Sequence, residues 1–201
     1  MLRWQPAKSR ERFRFPKLVK QAFAFLEHDY GFRVVESDIT FVRYENDAMF
    51  VHVYHGRASY ELGVEIGRRK QDRRMESRFD IQEILDIVDP ENPDGANIFQ
   101  AETAEAVKAG VARLGELLRE HGRPALLDEG DIFSRLRELQ TQRSQEYQRD
   151  GDAYWARREA DAAWRVRDYE KVAERYGSVE ATLKPDERER LRVARRALEE
   201  N

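Results

Sequence analysis

The sequence predicts an α+β protein: a small antiparallel sheet of about four strands flanked by helices, followed by a helical C-terminal region. Three observations carry this. Between Phe32 and Ile66, four runs rich in β-branched and aromatic residues are joined by turns too short for a crossover, so the strands must be antiparallel neighbours. Apolar residues at helical spacing precede and follow these runs. Beyond residue 126 the strand signals stop and helical spacing continues to the end of the chain. The 201 residues are 37% charged and 40% hydrophobic, with a mean hydropathy of −0.84. No apolar run approaches the roughly 18 residues of a membrane span, so no membrane contact is expected. With no cysteine, disulfides, thiolate metal sites and cysteine nucleophiles are excluded. No apolar segment follows the basic N-terminus, and the expected location is the cytoplasm.

Taken in order, residues 1–15 form a basic arm with Trp4, Phe13 and Phe15 interleaved among arginines. Pro16 opens a helix over about 17–29, with Leu18, Ala22, Phe25 and Leu26 in one stripe and Gly31 past its end. Strands are expected at 32–35, 39–44, 49–54 and 59–66, with a turn at Glu45-Asn46-Asp47. In the last strand Tyr60, Leu62, Val64 and Ile66 alternate with Glu61, Gly63 and Glu65, the pattern of a sheet with one buried face. The first helix is the expected cover for that face. A charged connector over 67–78 leads to a short helix at 81–88 and a loop with Pro90, Pro93 and Gly95. Thr103 caps a helix to about His121, stopped by Gly122 and Pro124. The α+β domain thus spans 16–125 and the helical region 126–201. In the latter, a helix from Asp131 is expected to end near Arg149, with Gly151 interrupting it. Aromatics follow at helical spacing, Tyr154, Trp155, Trp164, Tyr169 and Tyr176, and read as core. A last helix over about 186–199 packs through Leu191, Ala194 and Leu198.

Two stretches carry a resemblance. The run "AWRVRDYEKV", from Ala163 to Val172, resembles the turn inside a tetratricopeptide hairpin, and Pro185 stands where that family places its closing proline. Arg167 occupies the usual glycine position and Val172 the usual alanine. There is one such unit and no second copy, which implies a single tetratricopeptide-like hairpin. The motifs "DYGF" (from Asp29), "VRYEND" (from Val42), "VYHG" (from Val53) and "SYELGVEIG" (from Ser59) are similar to a group of bacterial hypothetical proteins without an assigned activity. That resemblance brings no catalytic residue. Some α+β proteins of similar pattern act as immunity proteins.

Charge narrows the function classes. Residues 1–78 hold 16 basic and 11 acidic side chains, 79–130 hold 4 and 12, and 131–201 hold 16 of each. The acidic middle argues against a continuous nucleic-acid track. No phosphate-binding loop, dinucleotide fingerprint, nucleophile elbow or HExxH is present. The expected function is therefore non-catalytic binding of another protein, with an immunity or adaptor role as its concrete form and no cofactor. The expected contact residues are Arg43, His52, Tyr54, Glu61 and Glu65 on the sheet's second face, Arg57 at its turn, and Trp164 in the helical region. The alternative is a nucleic-acid-associated protein using Arg10, Arg12, Arg14, Arg68, Arg69, Arg73 and Arg74. A third reading is a metal-dependent enzyme at His52, Glu61 and Glu65.

Overall fold

A computed structural model describes residues 10–91 and 99–200. The chain divides into two units, 1–139 and 140–201. The division falls inside a helix, later than the 125/126 boundary suggested by Gly122 and Pro124.

The first unit begins with helices α1 (Phe15–Ala22) and α2 (Ala24–Tyr30). The single helix expected over 17–29 is broken at Phe23, whose φ of −104° and ψ of 15° leave the helical region. The break lets Phe23, Phe25 and Leu26 all enter the core. The expected arm is also corrected in its second half. Phe13 and Phe15 are buried core residues, and α1 starts at Phe15 itself. Residues 1–9, with Trp4, lie outside the described residues.

Four long antiparallel strands follow: β1 (Arg33–Asp38), β2 (Phe41–Glu45), β3 (Met49–His55) and β4 (Glu61–Arg68). β5 (Phe79–Asp80) and β6 (Phe99–Gln100) each add a two-residue strand to β4. The fourth strand starts two residues later than expected because Tyr60 sits in the left-handed region at φ 57°. Ile39 and Thr40 belong to the β1–β2 turn, and Asp38 holds that turn by accepting from the Thr40 backbone and hydroxyl. α3 (Ile81–Val88) begins with a reciprocal capping box between Asp80 and Glu83. α4 (Ala104–His121) starts at Thr103, whose hydroxyl accepts from the Ala106 N–H, as expected. A one-turn helix, α5 (Arg123–Leu126), follows.

Alternation along the strands sends Val42, Tyr44, Val51, Val53, Leu62, Val64 and Ile66 into one core with α1, α3 and α4. Each such side chain contributes roughly 1.5–3 kcal/mol by leaving water. The long helix α6 (Ile132–Arg165) supplies Ile132, Phe133 and Leu136 to the same core.

The expected break at Gly151 does not occur. A lone glycine costs about 1 kcal/mol relative to alanine. The strong helix formers around it, Gln145, Glu146, Gln148, Arg149, Ala153 and Ala156, outweigh that. Residues 141–150 are exposed on every side. The second unit adds α7 (Tyr169–Gly177) and α8 (Pro185–Glu199). Its core is Ala160 and Ala163 of α6 with Val172, Tyr176, Leu183, Leu191 and Ala194. Leu198, expected to pack here, is 45% exposed.

Candidate functional site

The second face of the sheet carries a row of polar side chains in register across five strands. Glu36 pairs with Arg43, Arg43 with His52, His52 with Glu65, and Glu65 with Asp80. Period-two alternation put Arg43, His52 and Glu65 on one face, and the strands bring them together as the sequence implied. Their environment differs from a docking surface. Arg43 and His52 are each only 3% exposed.

The connector covers them. Glu76 folds back over the sheet, and both its carboxylate oxygens accept from Arg43 Nη2, at 2.8 and 2.9 Å. Arg43 Nε donates to Glu45 at 2.5 Å, Nη1 donates to His52, and the guanidinium lies 4.5 Å from the centre of the Phe50 ring. Arg69 and Arg73 reach Glu45 from the connector at 3.2 and 3.0 Å. Buried charges persist only when paired in this way.

Two glycines make room for the aromatic part of this layer. Gly63 and Gly67 stand opposite Tyr54 and Phe50 in the β3–β4 register. A Cβ on Gly63 would collide with the Tyr54 ring, and one on Gly67 with the Phe50 ring and the Ser77 carbonyl. The glycines let cross-strand rings lie flat on β4, and at Gly67 they let the connector backbone close down.

β3 carries a second histidine on its opposite face. His55 packs among Phe13, Phe15 and Tyr60 and is 1% exposed. Each histidine faces an arginine, and a guanidinium can only donate. His52 Nε2 therefore accepts from Arg43, leaving the ring proton on Nδ1, with Glu65 at 3.4 Å. His55 is the reverse tautomer: Nε2 donates to the Ala101 carbonyl at 2.9 Å, and Nδ1 faces Arg10 at 3.4 Å. Burial pushes both below the ordinary histidine range; the hydrogen bonds to Glu65 and Ala101 oppose it, and the neighbouring arginines add to it. Both rings are thus neutral. With Nε2 taken by Arg43, His52 has no free ring nitrogen for a metal. Among the described residues no group of three His, Asp or Glu could hold one.

Tyr54 is half-buried over Gly63, and burial with Glu65, Glu61 and Asp80 nearby pushes its hydroxyl up to about 12. Glu61 is half-exposed at the start of β4. Arg57 is exposed at the β3–β4 turn, 3.4 Å from Asp38, and its carbonyl accepts from Arg10 at 2.5 Å. Trp164 belongs to the second unit, half-buried and edge-on to Tyr169 at 5.9 Å.

Most of the alternative arginine set is engaged. Arg10 is buried against Tyr60 and the β3–β4 turn. Arg68 grips Asp128 through two hydrogen bonds at 2.8 and 2.7 Å. Arg69 and Arg73 serve Glu45. Arg12, Arg14 and Arg74 are exposed and have no carboxylate partner among the described residues.

The second unit holds a feature that spacing alone misassigned. Tyr154 and Trp155, read as core, are 55% and 58% exposed. The buried α6 stripe is built from alanines, Ala153, Ala156, Ala160 and Ala163, of which Ala160 and Ala163 pack with α7 and α8. At 100° per residue, Tyr154 and Trp155 fall away from that stripe. Their rings meet edge to face at 5.4 Å, and Arg158 bridges them, donating to the Tyr154 hydroxyl at 3.2 Å and lying 5.6 Å from the Trp155 ring. Tyr147 and Val166 are also exposed, at 82% and 76%. Beneath this face Tyr176, Asp161 and Arg190 lock the helices together, with the Tyr176 hydroxyl and Arg190 both 2.6 Å from Asp161.

No family model, curated protein or solved structure matches this chain.

Proposed function

We propose that this chain is a non-catalytic protein-binding module, and that the second unit carries the contact surface. The observation behind this is the exposed Tyr154–Trp155–Arg158 cluster on α6. Tyrosine, tryptophan and arginine dominate binding hot spots, and here they stand preorganised against one another. Contiguous exposed aromatic surface of this kind marks interaction sites. The sheet's second face, the other place considered for the partner, has its centre occupied by Glu76 and the connector.

The hairpin around Arg167 supports the tetratricopeptide-like reading of this unit. Arg167 adopts φ 59° at the position where that family usually has glycine, and Asp168 caps α7 by accepting from the Lys171 N–H. An immunity or adaptor role in a bacterial cytoplasm is the concrete form of the proposal.

The test is a tagged pull-down from native lysate at low and high salt, with mass spectrometry and a nucleic-acid assay on the eluate. The expected result is a stoichiometric protein that survives high salt and is lost with Tyr154→Ala/Trp155→Ala. Nucleic acid eluting at low salt without a protein partner would refute it.

A further inference from the structure

Tyr154 and Arg158 border an open groove of about 760 Å³ between α6 and the start of α8. Arg165 and Lys184 complete its charged rim. Two carboxylates also line it, but both are spent inside the unit. Asp161 is held by Tyr176 and Arg190. Glu187 is buried, pairs with Arg157 at 3.4 Å, and accepts from the Lys184 backbone N–H at 2.7 Å. Arg158, Arg165 and Lys184 are all exposed and have no carboxylate partner among the described residues. The groove therefore presents three cations that no carboxylate pairs, beside an aromatic pair.

Their spacing restricts what fits. Arg158 and Arg165 are seven residues apart on one helix, about 10.5 Å along its axis. An extended polyproline-II segment shows same-side groups every three residues, about 9 Å apart. Lys184 stands on the facing wall, from the turn before α8.

We propose that this groove binds an acidic, extended segment of a partner protein. Carboxylates three residues apart meet Arg158 and Arg165, Lys184 holds a third acidic group, and an apolar side chain covers Trp155. This rests on the protein-binding reading above and gives the partner its chemistry. Charge complementarity selects the occupant: a basic segment would face three like charges, and a neutral one would leave them uncompensated.

Fluorescence anisotropy on the full chain tests it. The probes are a labelled peptide with Glu at every third position and one Leu, the same peptide with Gln for Glu, and one with Lys for Glu. The Glu peptide is expected to bind, with affinity falling as salt rises. The Gln peptide should bind at least about tenfold more weakly, and Arg158→Gln and Arg165→Gln should each cost about tenfold. Arg165→Lys should recover part of that loss, and Arg12→Gln in the first unit should change nothing. Circular dichroism confirms that the exposed-site variants fold.

Equal binding of Glu and Gln peptides, still lost with Trp155→Ala, overturns the acidic specificity and leaves the binding module standing. Binding indifferent to Arg158, Arg165 and Trp155 overturns the groove. Failure of every peptide overturns the proposal. A single-stranded oligonucleotide that displaces the Glu peptide makes the occupant a nucleic acid, and a concentration-dependent dimer lost with Arg158→Gln makes it a second copy. Either would replace the proposal.

Discussion

Arg43 and Glu76, 33 residues apart in the chain, meet under the connector with both carboxylate oxygens on one guanidinium nitrogen. This contact buries the centre of the polar row on one face of the sheet. Arg43 donates through Nε, Nη1 and Nη2 to three different side chains, so its charge is fully compensated although it is 3% exposed. Removing it would leave Glu45 and Glu76 buried with fewer partners. Arg43→Ala should destabilise the first unit by about 3–5 kcal/mol, read as the shift in the denaturant midpoint at unchanged slope. A loss within about 0.5 kcal/mol, the size of an ordinary surface change, would mean that the layer is open to water.

The two glycines of β4 should respond unequally to a methyl group. At Gly63 a Cβ meets the outer end of the Tyr54 ring, which can swing away. At Gly67 it meets the backbone carbonyl of Ser77, which cannot move without lifting the connector. Gly67→Ala should cost about 1–3 kcal/mol and clearly more than Gly63→Ala in thermal denaturation. Equal losses would contradict the close approach of connector and strand.

Acid should destabilise the first unit in two stages. His52 and His55 sit below their ordinary value of 6.5, chiefly because burial penalises the charged ring. Between 6.5 and those lowered values the unfolded chain holds more protons than the folded one. Stability is therefore full above 6.5 and falls as the pH drops through the folded values. Glu45 adds a second stage. Burial alone would raise it, but Arg43, Arg69 and Arg73 hold it below 4.5, so its contribution is lost below that pH. Urea midpoints followed down from about pH 7.5 should begin to decline as the pH passes below 6.5. Nitrogen NMR should show His52 protonated on Nδ1 and His55 on Nε2. A midpoint flat down to about pH 5, or charged rings at neutral pH, would contradict the assignment.

The hairpin of the second unit carries a non-glycine residue in a glycine conformation. Arg167, at φ 59°, pays the steric cost of the left-handed region. Arg167→Gly should stabilise that unit by about 1 kcal/mol, visible as a higher melting temperature. A lower one would show that the Arg167 side chain contributes more than its backbone costs.

Local signals made much of this architecture legible. Thr103, Gly122 and Pro124 bounded α4, and alternation from Leu62 to Ile66 assigned the faces of β4. Alternation also grouped Arg43, His52 and Glu65. What it could not show was Glu76, because a tertiary contact across 33 residues leaves no periodic trace. Glu45 was readable in principle, since it lies two residues from Arg43 on the same strand face, but its position before Asn46-Asp47 read as a turn. In the second unit, spacing found the aromatics without separating Tyr176, which faces the alanine stripe, from Tyr154 and Trp155, which do not. Alanine-rich stripes are weak hydrophobic signals, because each methyl buries little area compared with a large ring.

The proposed partner contact lies on the outer face of α6, while Glu76 and the connector cover the centre of the sheet face. Site-specific photocrosslinking tests this most directly, with benzoylphenylalanine placed in turn at Trp155 and at Tyr54 in otherwise unchanged protein. A discrete crosslinked protein is expected from position 155 and none from position 54. A crosslink from 54 with 155 silent would put the contact on the sheet and overturn its placement on α6.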